Sequence, residues 1–370
     1  MIDFIGIRQQ KEEIGSSIND AIKRVLNHGN FIMGPEVTKL EDDLKEYVGI
    51  SNCITCSSGT DALLMSLMAL NIKRGDAVIT SSFSYIATAE VIELLGAKTY
   101  FCDINENTFN LEYENLNEVY ELAVKNGHVP KAIIGVDIFG LPARYRAIQE
   151  FAHSKSMYVI EDMAQSFGAE IRGKRAGTFG DIAATSFFPT KPLGCYGDGG
   201  AIFTENENLA TIIKSIRVHG SGENKYDNVR LGLNGRLDTI QAAILLEKLS
   251  VFNNELSKRK ELAEIYRDKI SNNYTFQYTP EDYSSAYALF SLVAESSEAR
   301  KKAMDSLKDK SIPSMIYYPK PLNKQEVFSD LEGLKQENSE NLSQRIFSIP
   351  FHPYLDQKDQ ETIIKILNNI

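Results

Sequence analysis

Lys191 lies between two apolar, strand-like runs, Ile182 to Phe188 and Ala201 to Thr204, with a glycine-rich turn, Gly194 to Gly200, behind it. An amine on a rigid turn at the end of a buried strand loses solvation, its pKa falls, and the neutral form condenses with an aldehyde to a Schiff base. Pyridoxal phosphate (PLP) enzymes use this chemistry. Taken alone, a loop lysine is more often a solvated surface residue, so the assignment depends on what else the chain supplies. A second candidate is Glu161-Asp162-Met163-Ala164-Gln165-Ser166, which follows the apolar run Tyr158-Val159-Ile160. A carboxylate beside a pyridine nitrogen keeps that nitrogen protonated, and the protonated ring is the electron sink that PLP chemistry needs. A polar strand end that caps the next segment has the same composition. The third is Ser57-Ser58-Gly59-Thr60-Asp61, between a short strand, Cys53 to Cys56, and a helical run, Ala62 to Leu67. Free N–H groups, the positive end of the helix dipole and a hydroxyl make an anion site there. Ordinary N-capping by Thr60 accounts for the same residues.

The elements that must position these groups are legible as alternation. Val37, Leu40, Leu44 and Tyr47 recur at helical spacing behind Gly34-Pro35-Glu36, and Asn30 to Gly34 before them form a loop. From residue 76 on, strands at Ala77–Thr80, Thr99–Cys102, Ala132–Val136 and Tyr158–Ile160 alternate with helices near Ala87–Leu95, after Leu111 and near Ala147–Ser154. Such alternation means βαβ units and a mostly parallel sheet, whose ligands sit outside the carboxyl ends of the strands. Gly59, Tyr85, Asp162 and Lys191 all fall at such ends. Beyond the lysine, a polar segment with His219 to Gly222 leads to Gly232 to Asp238; a long polar loop in a compact enzyme is functional, at an interface, or simply solvated. Two helices follow, Ile240 to Leu249 and Leu256 to Lys269, the second carrying Arg259. A strand over Tyr287 to Val293, a charged helix over Glu298 to Lys308, the run Pro313 to Pro319 and a last helix after Asp356 complete the chain. The predicted fold is α/β: a large domain over 1–250, with an N-terminal helical segment and a mostly parallel sheet flanked by helices, and a smaller α+β domain over 251–370.

Composition narrows the function class. With 370 residues, a prior of about 150 per domain gives two or three domains, and 43% hydrophobic with 24% charged residues is ordinary for a globular protein. No apolar run approaches the ~18 residues that span a bilayer, and Met1-Ile2-Asp3-Phe4 lacks a basic leader, so a cytoplasmic protein is expected. A net charge of −10 argues against nucleic-acid binding and requires any anionic ligand to be held by local groups. Cys53 and Cys56 have the spacing of a metal or redox pair, but no second ligand pair follows, and buried strand residues are the favoured account. No metal is expected.

Together these stretches resemble the PLP-dependent nucleotide-sugar aminotransferases of the DegT/DnrJ/EryC1 family, fold type I, from Ile2 to about Leu355. The anchors are Gly59 to Leu63, Phe83 to Ala89, Glu161 to Ala169, Ser186 to Ala201 and Asn234 to Asp238, five matches in the family's order. The resemblance implies that Lys191 carries the cofactor covalently, Asp162 pairs with the pyridine nitrogen, Gln165 sits beside the ring hydroxyl and Tyr85 stacks on the ring. It implies that Gly59, Thr60 and Ser186 hold the phosphate and that Asn234 reaches in from a second subunit, giving a homodimer with shared active sites. The chain looks closest to enzymes that aminate UDP-2-acetamido-2-deoxy-3-keto-D-glucuronic acid for surface polysaccharide such as O-antigen, with glutamate as amino donor. Arg236, Tyr317 and Tyr318 then become substrate contacts, and the 30–34 loop a cover for the nucleotide. Met163 replaces a usual alanine, and Tyr317 stands where those enzymes carry a histidine, which leaves a 3-keto- or 4-keto-6-deoxy sugar nucleotide as the alternative. A sugar dehydratase of the family has histidine in place of the lysine. A silent PLP-binding regulator needs a DNA-binding domain, and the first 50 residues show no basic recognition helix. A nicotinamide reductase needs Gly-x-Gly-x-x-Gly in the first βα unit, which is absent.

Overall fold

A computed structural model describes residues 2–224, 226–331 and 333–370. Two helices, α1 (Ile7–His28) and α2 (Pro35–Val48), precede a seven-stranded sheet. Its strands are β1 (Asn52–Cys56), β2 (Asp76–Ser81), β3 (Lys98–Cys102), β4 (Val129–Val136), β5 (Tyr158–Asp162) and, after the two-residue strands β6 (Glu170–Ile171) and β7 (Lys174–Arg175) of a side hairpin, β8 (Ile182–Ser186) and β9 (Gly200–Thr204). The spatial order is β1-β9-β8-β5-β4-β2-β3. Every pairing from β8 to β3 is parallel, and β9 alone is reversed, pairing antiparallel with both β1 and β8.

The helices α3 (Gly59–Ala69), α4 (Ala87–Leu94), α5 (Leu116–Lys125), α6 (Tyr145–Ser154), α7 (Glu207–Ile216) and α8 (Thr239–Lys269) cover the two faces of the sheet. β1, β2 and β9 are buried along their whole length, as strands covered on both faces must be. Successive side chains go to opposite cores: Ile79, Ile133 and Val159 pack with α2, α5, α6 and α8, whereas Val78, Ile134 and Ile160 pack with α3, α4 and α7. The same period explains Cys53 and Cys56. Three residues apart on β1, they lie in different cores, on opposite faces of the sheet, where they cannot share a metal or form a disulfide.

A smaller antiparallel sheet of β10 (Tyr274–Phe276), β12 (Phe290–Ala294) and β13 (Ile346–Ile349) lies toward the C-terminus, while β11 (Tyr283–Ser284) joins the side hairpin. With α9 (Ser297–Asp309), α10 (Glu337–Arg345) and α11 (Gln357–Asn368) it forms the α+β portion. Its core contains Phe290, Leu292, Phe347 and Ile363.

The structure departs from the sequence expectations at three points. The helices expected at 240–249 and 256–269 are one continuous α8 of 31 residues. Nothing between them breaks a helix, because Asn253 and Asn254 merely lower propensity and lie in solvent. Residue 250 therefore falls inside a helix that serves two cores: Ala242, Leu245 and Phe252 pack on the large sheet, Leu262, Ala263 and Tyr266 on the small one. The strand expected from Tyr287 begins at Phe290, since Tyr287 has a left-handed φ of 46° that ends the extended run.

Phe252 is fully buried, its ring 5.5 Å from that of Phe167 and 5.8 Å from that of Tyr47. Phe252→Ala is expected to cost about 3–5 kcal/mol, read as a fall in denaturant midpoint, because it removes an aromatic from the contact between α8 and the sheet. An unchanged midpoint would show that the two pack independently.

Candidate active site

Parallel strands end on one side of the sheet, and five of the predicted residues meet there. Asp162 is the last residue of β5 and Ser186 the last of β8; Gly59 opens α3 beyond β1, Tyr85 follows β2, and Lys191 lies in the turn between β8 and β9. The turn is tight: a Cβ on Gly194 would lie 2.7 Å from the carbonyl oxygens of both Phe188 and Pro189. The Lys191 N–H donates to Phe188 O at 2.8 Å and the Cys195 N–H to Phe187 O at 2.8 Å, which fixes where the lysine leaves the backbone.

Asp162 is 6% exposed and accepts from the Thr88 hydroxyl at 2.8 Å and the Ala164 N–H at 3.3 Å. Burial pushes its pKa up, and the two bonds and the Lys191 charge pull against that. Burial pushes the Lys191 amine down, with Asp162 opposing. No ion pair or side-chain hydrogen bond engages that amine among the described residues. It is thus a desolvated amine facing a buried acid and free to react.

Two more carboxylates stand close by, and both are committed to their own chain. Asp137, just past β4, accepts from Tyr145 OH at 2.8 Å, the Ser166 hydroxyl at 2.6 Å and the Ala143 N–H at 2.9 Å, and burial brings its pKa up to about 7. Glu161 accepts from the N–H groups of Gly177 at 2.7 Å and Phe179 at 2.9 Å. Asp162 differs from both in that one of its two protein donors is long and its carboxylate keeps acceptor capacity.

Gln165 is held in place from both ends. Its Oε1 accepts from the Phe139 N–H at 2.9 Å, and its Nε2 donates to Tyr318 OH at 3.3 Å, leaving one amide hydrogen over. Tyr318, whose hydroxyl burial pushes upward, packs edge-on against Phe83 with ring centroids 5.7 Å apart. Tyr317 lies 6.0 Å from Tyr318 and 6.3 Å from Phe4, ring to ring. The sequence treated Gln165 and the two tyrosines as separate candidates; the structure joins them. Tyr85 is 57% exposed, with its ring open to a flat partner.

At the start of α3 the cap is Ser58, whose hydroxyl accepts the Asp61 N–H at 3.0 Å, rather than Thr60. The Ala62 N–H goes to Ser58 O. The helix's first two N–H groups, on Gly59 and Thr60, remain as donors together with the Thr60 hydroxyl. A Cβ on Gly59 would lie 2.6 Å from Ser186 Cβ, so only glycine lets this turn reach the end of β8. The Ser186 hydroxyl accepts the Phe188 N–H at 3.2 Å and keeps its own proton to donate. Two N–H groups and two hydroxyls converging at a helix start suit a phosphate.

The 217–238 segment is stitched to this edge by its backbone: Gly235 N–H donates to Arg217 O at 3.0 Å, and Ser57 N–H to Gly235 O at 3.0 Å. Asn234 bridges Val218 through its backbone while its side chain is exposed. Arg236 forms no ion pair among the described residues, with Asp238 or any other acid, and its Nε is buried without a partner. Thr88, the donor to Asp162, received no role from the sequence. A threonine in an apolar helix start carries no signal of a partner on a distant strand.

The chain as a whole is similar to known proteins. An aminotransferase described as UDP-2-acetamido-2-deoxy-3-oxo-D-glucuronate aminotransferase, from Pseudomonas aeruginosa, is 43% identical over 370 residues, all of both chains. A DegT DnrJ EryC1 StrS aminotransferase from Brucella abortus superposes with a TM-score of 0.98 at 42% identity, over 100% of this chain and 99% of that one. NtdA from Bacillus subtilis, solved with bound cofactor PMP, superposes with a TM-score of 0.90 at 27% identity, over 100% of this chain and 84% of that one. Residues 12–368 match the family as a whole, and the chain belongs to the DegT/DnrJ/EryC1/StrS aminotransferase family.

Proposed function

We propose that this PLP-dependent transaminase moves an amino group from an amino acid, glutamate first among them, to the 3-keto carbon of UDP-2-acetamido-2-deoxy-3-keto-D-glucuronic acid, in the making of a surface polysaccharide. The observation that carries the reaction class is the unpartnered, desolvated Lys191 amine facing Asp162.

In this reading Lys191 holds the cofactor covalently and Asp162 pairs with its pyridine nitrogen. Gly59, Thr60 and Ser186 take the phosphate, Gln165 offers its remaining amide hydrogen to the ring hydroxyl, and Tyr85 covers the ring. The bound cofactor supplies an electron sink for the bond that breaks at the donor's α-carbon. Once displaced, the Lys191 Nζ takes the α-proton of the donor amino acid, and in the second half of the cycle it delivers a proton to the sugar's reacting carbon. Its lowered pKa suits both halves, because in each a neutral amine accepts a proton and the resulting ammonium, poorly solvated, releases it again before the next half begins. Lys191→Ala is expected to abolish turnover, and borohydride reduction followed by peptide mass should place the cofactor on Lys191 in the parent enzyme and nowhere in the variant.

The sugar assignment rests on charge. A UDP-linked uronate brings at least three negative charges to a protein of net charge −10, so a few placed cations must hold it. Arg236 is such a cation, without an ion-pair partner among the described residues. The 30–34 loop lies beside it: Thr239 N–H donates to Phe31 O at 3.0 Å, Gly34 N–H to the Thr239 hydroxyl at 3.0 Å, and Phe31, Ile32 and Met33 are exposed. A guanidinium grips a carboxylate through two parallel bonds, and Tyr317 and Tyr318 add hydroxyls. Arg236→Ala is expected to lose roughly tenfold to a hundredfold in kcat/KM on the 3-keto-uronate, the worth of a charge-assisted contact of about 1.5–3 kcal/mol, and far less on the neutral 3-keto sugar. Preference of the parent enzyme for the neutral sugar or a 4-keto-6-deoxy sugar would overturn the assignment and leave the transaminase intact.

Asn234 is exposed in its own subunit, on a polar loop, and this supports a homodimer in which each loop completes the neighbour's phosphate site. Its setting is the cytoplasm, where sugar nucleotides are made; no helix among the described residues is long and apolar enough to cross a membrane. Mixing inactive Lys191→Ala with inactive Asn234→Asp chains should restore one working site per mixed dimer. A fully active monomer at assay concentration would refute shared sites.

A further inference from the structure

Asp162 has a support that none of the cofactor contacts explains. Its Oδ2 accepts from the Thr88 hydroxyl at 2.8 Å, and the Thr88 hydroxyl lies 2.8 Å from that of Ser84. All three side chains are buried: Ser84 is 3% exposed, Thr88 1% and Asp162 6%. Thr88 is the second residue of α4, which follows β2, and in the sheet β2 is separated from β5 by β4. A helical threonine commonly returns its hydroxyl to a carbonyl one turn back. Here the hydroxyl reaches past the end of β4 to the last residue of β5 instead.

The direction of the chain follows from counting hydrogens. An ionised carboxylate only accepts, so Thr88 spends its single hydroxyl proton on Asp162; the proton between Ser84 and Thr88 must then come from Ser84. Two hydroxyl dipoles point the same way, the first polarising the second, and the chain ends on Oδ2. The other charged groups around Asp162 do not supply this. Lys191 favours the carboxylate but gives up its charge when it reacts, and the nearby Asp137 is an acid held by Tyr145, Ser166 and Ala143.

We infer that Ser84 and Thr88 form a buried hydroxyl relay that aims Asp162 and keeps it a carboxylate while Lys191 is engaged elsewhere, making both of them positioning residues for transamination. The inference rests on the pairing of Asp162 with the pyridine nitrogen proposed above. If that pairing holds, removing the relay weakens the acid's grip on the ring nitrogen without touching any group that meets the cofactor.

The test compares Thr88→Val, which keeps the side chain's shape and removes its proton, with Thr88→Ser, Ser84→Ala and Asp162→Asn. For each, the affinity of the apoenzyme for PLP is measured by equilibrium dialysis, its melting temperature is taken without PLP, and protonation of the ring nitrogen is read from the 15N shift of ring-labelled cofactor. Thr88→Val is expected to bind PLP about tenfold more weakly and to shift the nitrogen signal toward neutral pyridine, the loss of one charge-assisted hydrogen bond. Ser84→Ala should move both in the same direction by less, Thr88→Ser should restore both, and the apoenzyme melting temperatures should stay together. If Asp162→Asn loses the nitrogen proton while Thr88→Val and Ser84→Ala keep it, the relay is refuted and the role of Asp162 stands. If Asp162→Asn itself retains proton and affinity, the pairing is wrong and the relay falls with it. Should Thr88→Val lower the melting temperature without Thr88→Ser restoring the nitrogen signal, the threonine only packs, and the inference is overturned. Where Thr88→Val does not fold, Ser84→Ala decides by the same nitrogen signal.

Discussion

A charged carboxylate at the closed end of a buried strand is costly, and much of the active-site architecture offsets the cost of keeping one at Asp162. Burial alone drives the acid toward its neutral form, and a neutral acid cannot hold a pyridine nitrogen protonated. The opposing groups come from three elements: the Thr88 hydroxyl from the start of α4, the Ala164 N–H from the turn after β5, and the Lys191 amine from the β8–β9 turn. Two further acids, Asp137 and Glu161, crowd the same strand ends. Each is answered by donors of its own, so neither draws on those of Asp162. The same desolvation acts on Lys191 with the opposite sign and lowers its pKa, so one dry pocket prepares the acid and the amine together.

Strand direction is what brings these groups to one place. Parallel strands β5 and β8 end side by side, the reversed β9 starts there, and β1 ends one strand further on, so the turns after β1, β5 and β8 face one another. The approach of α3 to β8 depends on one missing atom, the Cβ of Gly59. With a side chain there the two N–H groups would stand off from the Ser186 hydroxyl, and the anion site would open.

What the sequence made legible was whatever is encoded locally. Lys191, Asp162 and Gly59 are each announced by an apolar run followed by a turn, a signal carried within ten residues or so. Thr88, paired with a residue 74 positions away, and the Gln165–Tyr318 bond, spanning 153, leave no such mark. Ser58 rather than Thr60 as the cap is a matter of two residues at a helix boundary, finer than spacing resolves. The 31-residue α8 reads as two helices because its two halves pack on different cores, so no single apolar stripe runs its whole length.

The loop that carries Asn234 and Arg236 shows how an exposed segment is anchored at both of its ends. Arg217, 5% exposed, bonds Glu41 of α2 and the backbone oxygen of Thr55 in β1, and Glu41 in turn accepts the N–H and hydroxyl of Thr55. From that anchor the chain leaves by way of Val218 and returns at Gly235, whose N–H lands on Arg217 O. Both ends of the loop are therefore fixed to the sheet. Breaking a buried pair such as Arg217–Glu41 strands a charge away from water, a penalty far larger than the few tenths of a kcal/mol at stake in an exposed pair. Arg236 carries no acid partner among the described residues, in a chain that has 50 acidic residues against 40 basic ones. With Gly235 bonded on one side to Arg217 and on the other to Ser57, the backbone next to Arg236 is fixed, and its guanidinium, without an ion-pair partner among the described residues, is left able to meet an anion.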